Sequence, residues 1–142
     1  MIAGQVMDLA NEESSATDDD LAATDRLKTA ELIRAAAVMG CIAAGASGEQ
    51  TAAAEGYCAA VGLAFQIVDD ILDVTSSESV LGKPIGSDSE NGKSTYVSLL
   101  GLERSGELAA ELTDKAKSAL DIFGDEGEFL AELADKLSSR KS

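Results

Sequence analysis

Four polar side chains in one short stretch have the types and spacing of a metal–phosphate site: Gln66, Asp69, Asp70 and Asp73. At about 100° per residue, a helix places all four within an arc of about 100°. The opposite side of that helix is apolar, and no Lys, Glu or Ser lies near the arc. We therefore expect a polar face that is flanked by packed helices and opens into a cavity.

Three carboxylates within one helical turn repel one another, and partial burial raises the cost. Carboxylate oxygens suit Mg²⁺, which keeps several waters and shares its other positions with phosphate oxygens. Asp69, Asp70 and Asp73, here called the aspartate motif, are therefore predicted to hold divalent cations against a diphosphate. The alternative is an acidic helix end that happens to contain three aspartates.

Two lysines lie in or beside the Gly- and Ser-rich stretch that follows the motif. Lys83 stands in a Gly-Lys-Pro run and Lys93 in a Gly-Lys-Ser-Thr run, and such cations can contact phosphate oxygens. The Gly92-Lys93-Ser94 run is not a P-loop, because that motif needs a glycine where Ser87 stands and a strand before the loop. We therefore exclude a nucleotide site of that type.

The elements that position these residues are predicted to be helices, because the chain is rich in alanine and has a single proline. Ser47 and Gln50 fit a capping box that starts the helix carrying the motif. The stretch 75–92 is predicted to be an irregular loop, and its length favours a binding role. The predicted helices cover residues 1–10, 18–45, 48–74, 93–101, 107–123 and 126–140.

Composition excludes several classes of function. The net charge of −15, from 26 acidic and 11 basic residues, argues against nucleic acid as a partner. The chain has no histidine, which excludes His-based zinc sites and Ser-His or Cys-His catalysis. Cys41 and Cys58 lie in apolar stretches and are expected to be buried structural thiols. With no apolar run of about 20 residues and no signal sequence, the chain is expected to span no membrane and to be cytoplasmic.

The sequence resembles the second aspartate-rich region of the trans-isoprenyl diphosphate synthases, most closely the bacterial farnesyl and geranylgeranyl diphosphate synthases. The resemblance rests on FQIVDDILD at 65–73, LGKPIGSD at 81–88 and the run from Gly92 to Gly101. It also rests on Lys28-Thr29, which is similar to the Lys-Thr helix of the family, and on GQVMD at 4–8. These matches extend over essentially the whole chain.

The resemblance implies an all-α, isoprenoid-synthase-type helical bundle, of which this chain is the C-terminal half only. It implies a short-chain prenyltransferase that requires Mg²⁺. In that reaction an allylic diphosphate (dimethylallyl or geranyl diphosphate) ionises, isopentenyl diphosphate attacks the carbocation, and a proton is lost. Residues 1–142 would then form a single partial domain.

Roles follow from the resemblance position by position. Asp69 and Asp73 would bind Mg²⁺, and Asp70 would support them through water or neighbouring contacts. Three lysines would bind the allylic diphosphate and assist its departure: Lys28, Lys83 and Lys93.

The remaining positions that match the family would shape the pocket. Thr29 and Gln66 would place oxygens near the developing carbocation. Both Lys28 and Thr29 have an ordinary alternative, as a surface lysine and as a helix residue that bonds its own backbone. The wall of the pocket would be completed by Gln5, Asp8 and Phe65.

Members of the family are about twice as long and carry a first aspartate-rich motif on an earlier helix, together with the basic residues for isopentenyl diphosphate. Asp18-Asp19-Asp20 lacks that spacing and is better explained by the helix dipole. Three hypotheses follow: a fragment or split piece of a synthase, a non-catalytic subunit or remnant, and an acidic helical interaction module. We expect no condensation by this chain alone.

A half-bundle would expose apolar surface, which we expect around Val61, Phe65 and Leu72. Such surface drives association. The expected partners are therefore further copies of the chain, as a homo-oligomer, or a complementing N-terminal half.

Overall fold

The computed structural model describes residues 2–12, 23–24, 26–75 and 95–140, with the side chains of Asp8, Asn11 and Glu12 left out. Within these ranges the chain is helical and contains no strand, so the predicted all-α class is confirmed. Helix α1 covers Ile2–Glu12, and a short π-helical segment covers Arg26–Ala30. The remaining helices are α2 (Glu31–Ala43), α3 (Gly48–Thr75), α4 (Tyr96–Leu100), α5 (Leu102–Ala119) and α6 (Glu128–Ser138).

A tight turn joins α2 to α3. Gly45 adopts a positive φ of 70°, a conformation that glycine reaches at little cost. The backbone N–H of Ser47 donates to Gln50 Oε1 at 2.9 Å, and that of Gln50 donates to Ser47 Oγ at 3.1 Å. The predicted capping box is therefore confirmed.

Helices α2 and α3 run antiparallel along each other. Arg34 Nη1 donates to Glu55 Oε1 at 2.7 Å, and farther along, Gly62 lies against Ala30. A Cβ added at Gly62 would lie 3.0 Å from the Ala30 Cβ atom, which is too close for an ordinary contact. The absence of a side chain at Gly62 thus allows α2 and α3 to pack closely.

The long helix α3 is the centre of the bundle and contributes to two groups of core residues. Its first half packs Tyr57 and Val61 against Leu120 and Ala134. Its second half packs Ile67, which is fully buried, and its neighbours against α4 and α5. The face of α3 opposite the aspartate motif is therefore the one that anchors the helix.

The predicted bounds beyond residue 95 need correction. Helix α5 begins at Leu102, directly after Gly101 with its positive φ of 82°, and not at Glu107. It ends at Ala119, and the 3₁₀ segment Asp121–Gly127 that follows is interrupted by a kink at Gly124, whose backbone angles are non-helical. Residues 76–94, which include most of the predicted loop, lie outside the described part of the chain.

Exposed apolar surface is present, but not where we expected it. Val61 is buried, and Leu72 packs against the core beside α5. Most of the exposed apolar side chains in the described ranges lie on other helices, among them Ile2, Val6 and Leu9 of α1 and Leu32, Met39 and Ile42 of α2. No helix in the described ranges is long and apolar enough to cross a membrane.

Candidate functional site

The aspartate motif lies near the end of α3, and its three carboxylates have three different environments. The Asp69 side chain is 51% exposed and Asp70 is half-buried, whereas Asp73 is 2% exposed. Asp69 and Asp73 are one turn apart and therefore share a face of the helix. The solvent exposure of the motif therefore decreases along one turn of α3, from Asp69 at the surface to Asp73 in the interior.

Asp69 is paired with a residue from the far end of the chain. Arg140 Nη2 donates to Asp69 Oδ1 at 3.0 Å and to the Phe65 carbonyl oxygen at 3.3 Å. The guanidinium carbon also lies 3.8 Å from the centre of the Phe65 ring, within the range of a cation–π contact. Phe65, predicted to line the pocket, is therefore covered by Arg140.

Asp70 holds the start of α4. Its Oδ2 accepts the backbone N–H of Tyr96 at 2.8 Å, and the first N–H groups of a helix have no partner within that helix. Thr95 caps the same helix through a capping box with Ser98. Asp70 therefore fixes the segment that follows Lys93 to the motif helix.

The three carboxylates do not face one another as a ready set of ligands. Among the described residues, no three Asp, Glu, Cys or His side chains are arranged so that they could hold a metal ion. The donor chemistry still fits Mg²⁺, because carboxylate oxygens are the ligands that it takes. The assignment of Asp69, Asp70 and Asp73 to a metal site therefore stays a prediction.

The Lys-Thr pair lies in the π-helical segment, a form that is rare and often occurs at functional sites. Lys28 and Thr29 are half-buried and directly precede Ala30, which contacts Gly62. Because this segment and α3 run in opposite directions, Lys28 and Thr29 lie at the level of the turn that follows Gly62. Gln66 is half-buried on that turn.

Helix α1 meets the Lys-Thr segment through a glycine. A Cβ added at Gly4 would lie 2.6 Å from the Leu27 carbonyl carbon and from the Lys28 Cα atom, so only glycine fits. Gln5 follows Gly4 and is exposed. Asp8 lies in α1, and its side chain is outside the description.

Lys83 and Lys93, predicted to bind a diphosphate, both lie in 76–94, outside the described residues. Arg140, which contacts Asp69 of the motif, was not predicted from the sequence. A signal for it was present in the scarcity of basic residues and in the basic end of the last predicted helix. That signal is equally well explained by the helix dipole.

Described residues line at least two cavities. One of about 350 Å³ is lined by Val68, Leu72, Ala109 and Arg140, among others. The other, of about 580 Å³, is mainly apolar and is lined by residues that include Cys41, Tyr57, Cys58 and Leu130. Neither is lined by a residue of the aspartate motif, so neither matches the cavity that we expected beside the polar face.

The two thiols in the larger cavity are free. Cys58 is buried as predicted, whereas Cys41 is only half-buried. Burial raises the pKa of the Cys58 thiol above its ordinary value of 9.0, which disfavours the reactive thiolate. Tyr57 beside it donates its hydroxyl to the Leu130 carbonyl oxygen at 2.8 Å, and burial likewise raises the pKa of Tyr57.

The comparisons with known proteins all identify the same family. Residues 1–124 match the family model described as polyprenyl synthetase. The farnesyl diphosphate synthase of Escherichia coli is 40% identical over 144 residues, which cover 99% of this chain and 48% of that protein. The chloroplastic geranylgeranyl pyrophosphate synthase 11 of Arabidopsis thaliana is 41% identical over 99% of this chain and 40% of its own length.

The solved structures lead to the same family. The crystal structure of the Helicobacter pylori geranyltransferase, complexed with magnesium and isoprenyl diphosphate, is 34% identical and superposes with a TM-score of 0.78. The match covers 96% of this chain and 45% of that one. The chain thus spans about half the length, or less, of the relatives that it matches.

Proposed function

We propose, because the chain belongs to the polyprenyl synthetase family, that its aspartate motif holds divalent cations against the diphosphate of an allylic substrate. The observation that carries this proposal is the likeness to the Helicobacter pylori enzyme, whose crystal contains magnesium and isoprenyl diphosphate. The likeness covers 96% of this chain, and the family model matches residues 1–124, which include α3 with its three aspartates.

In the reaction that we propose, the allylic carbon–oxygen bond breaks, diphosphate departs, and the double bond of isopentenyl diphosphate attacks the carbocation before a proton is lost. Bound Mg²⁺ would supply positive charge to the departing diphosphate. Asp69 and Asp73 would hold the cations, with Asp70 in support, and three lysines would contact diphosphate oxygens: Lys28, Lys83 and Lys93.

The packing of the Lys-Thr segment supports its part in this scheme. Gly4 and Gly62 allow α1 and α3 to approach the segment from two sides. Lys28 is thereby held beside the turn of α3 that follows Gly62 and precedes the motif. In this scheme Thr29 and Gln66 direct oxygens toward the developing carbocation, while Gln5, Asp8 and Phe65 form the wall.

Because the chain covers 48% of the Escherichia coli enzyme, we propose that condensation requires a complementing polypeptide. The exposed apolar side chains of α1 and α2 are suited to such a partner or to further copies of this chain. The family membership favours this hypothesis over the non-catalytic subunit and the acidic interaction module.

Calorimetry with inorganic pyrophosphate, in the presence and absence of MgCl₂, tests the metal–diphosphate part. We expect binding that depends on Mg²⁺, and Asp69→Asn should weaken it by about tenfold or more, since one charged contact is lost. Glu49→Gln is the matched control, because Glu49 is exposed and lies 20 residues earlier on α3, or about 30 Å along the helix. A pyrophosphate affinity that is unchanged by Mg²⁺ or by Asp69→Asn would contradict the proposal.

Turnover with dimethylallyl and isopentenyl diphosphates tests the need for a partner. We expect no product from this chain alone. Product should form when the part of the Escherichia coli enzyme that this chain does not match is added as a separate polypeptide. Turnover by the chain alone would show that no complementing half is required.

A further inference from the structure

The contact between Arg140 and Asp69 places a cation of the chain itself on the first carboxylate of the aspartate motif. The two residues are 71 positions apart in the sequence and 3.0 Å apart in the structure. Asp69 is also the most exposed of the three aspartates, so it is the carboxylate that an ion from solution reaches first. We propose that Arg140 competes with a divalent cation for Asp69, an inference that rests on the function proposed above.

The geometry of Arg140 shows why a divalent cation can displace it. A strong arginine–carboxylate pair uses two parallel hydrogen bonds. Here a single nitrogen, Nη2, serves both Asp69 Oδ1 and the Phe65 carbonyl oxygen, the latter at a long 3.3 Å. The Arg140 Nε atom is buried and has no hydrogen-bond partner among the described residues. Arg140 is therefore incompletely satisfied in this position.

The Arg140 guanidinium and a divalent cation repel each other when both are bound to Asp69. A divalent ion binds a carboxylate oxygen at about 2.0–2.5 Å, and the guanidinium lies within hydrogen-bond distance of the same carboxylate. Two cations that close repel each other. Binding of the metal should therefore weaken the Arg140–Asp69 pair, and loss of the pair should strengthen metal binding by the same factor.

The surroundings allow Arg140 to move away without unfolding the bundle. Helix α6 ends at Ser138, so Arg140 is attached only through the short segment after it. On its other side Arg140 borders the cavity of about 350 Å³ between α3 and α5. Besides the Asp69 pair, the guanidinium is held over the motif by the stacking contact with the Phe65 ring and by the long hydrogen bond to the Phe65 carbonyl oxygen.

Titration of the full chain with Mn²⁺ alone, followed by electron paramagnetic resonance, measures this competition directly. We expect Arg140→Gln to tighten Mn²⁺ binding by about two- to fivefold, the value of a partly exposed ion pair. Phe65→Leu removes only the stacking contact and should tighten binding by a smaller factor. Arg140→Lys keeps the charge and should change the affinity least.

Arg34→Gln is the matched control for the change in net charge. Arg34 pairs with Glu31 and Glu55, and Glu55 lies 14 residues, or about 21 Å along the helix, before Asp69. The Arg34 variant should leave the Mn²⁺ affinity unchanged, and circular dichroism confirms the fold of each variant.

The outcomes separate this inference from the proposed function. If the wild-type chain binds Mn²⁺ and Arg140→Gln binds it equally or more weakly, Arg140 does not compete and the inference is wrong, while the metal site stands. The inference is equally overturned if Arg34→Gln tightens binding as much as Arg140→Gln. If neither the wild type nor the Arg140 variant binds Mn²⁺, both the inference and the proposed metal site fail.

Discussion

The backbone N–H of Tyr96 donates a hydrogen bond to Asp70 Oδ2 at 2.8 Å. A residue of the aspartate motif therefore also links two helices. The bond joins the end of α3 to the first residue of α4, on either side of the segment 76–94 that contains Lys83 and Lys93. A carboxylate in this position can stabilise the fold and bind a metal, and the two effects can be separated by mutation.

Asp70→Ala is expected to lower the free energy of unfolding by about 1–2 kcal/mol, because the Tyr96 N–H loses its acceptor. Asp70→Asn keeps an oxygen that can accept the same bond and should cost less. Urea denaturation followed by circular dichroism measures both. If the alanine and asparagine variants are equally destabilised, the charge of Asp70 matters more than this hydrogen bond.

Gly4 is expected to be intolerant of any side chain, because an added Cβ would lie 2.6 Å from backbone atoms of Leu27 and Lys28. Gly4→Ala should therefore lower the free energy of unfolding by about 1–3 kcal/mol. Gly40→Ala is the matched control, since Gly40 lies within α2 and a Cβ there meets no atom within 4 Å. That variant should be neutral or more stable by about 0.5–1 kcal/mol. Equal effects of the two changes on thermal unfolding would argue against a close contact at Gly4.

Local signals in the sequence were enough to predict much of the fold. The Ser47–Gln50 capping box and the apolar run after it fixed the start of α3, and both depend only on residues near one another in the chain. The start of α5 was placed too late because the break at Gly101 depends on a backbone angle, which the pattern of apolar residues does not reveal. The π-helical form of the Lys-Thr segment was likewise not predictable, since it depends on how α1 and α3 pack against it.

The residues of the candidate site likewise divide into those that local sequence predicts and those that depend on contacts between distant positions. Its aspartates were found from their spacing within one turn, which is a property of a single helix. Arg140 was missed because its contact with Asp69 joins positions 71 residues apart, and no local pattern specifies such a contact. The expected exposure of Val61 was wrong for a related reason, because Leu120 and Ala134, far along the chain, belong to the same core cluster.

Stability should fall in alkaline solution because of two buried groups. Burial raises the pKa of Cys58 above 9.0 and that of Tyr57 above 10.0, their ordinary values. The unfolded chain therefore loses these protons at lower pH than the folded chain, so the free energy of unfolding decreases as the pH rises above about 9. At pH 7 both groups are almost fully protonated in both states, so this effect is absent there.

Tyr57→Phe and Cys58→Ser, combined in one variant, should reduce that decrease. The measurement is the free energy of unfolding in urea at a series of pH values from 7 to 11, for the wild type and the double variant. The variant should be less stable at pH 7, because the bond from Tyr57 to the Leu130 carbonyl is lost. An equally steep decrease above pH 9 in both proteins would mean that other groups cause it.

The exposed apolar residues of α1 and α2 are expected to mediate self-association in the absence of another partner. Gly4 faces the Lys-Thr segment, whereas Ile2, Val6 and Leu9 lie on the opposite side of α1, where they are exposed. We expect the wild-type chain to form dimers or larger species in sedimentation velocity experiments at micromolar concentration. Two single changes, Val6→Glu and Met39→Glu, should shift the distribution toward the monomer, since each places a charge within exposed apolar surface.

Phe129→Glu is the matched control for this experiment, because Phe129 is 73% exposed on α6, compared with 62% for Val6 and 65% for Met39. It makes the same change in charge on a different helix and should leave the distribution unchanged. If all three variants dissociate alike, the added negative charge on a chain of net charge −15 explains the effect. If none dissociates, α1 and α2 do not form the contact between copies.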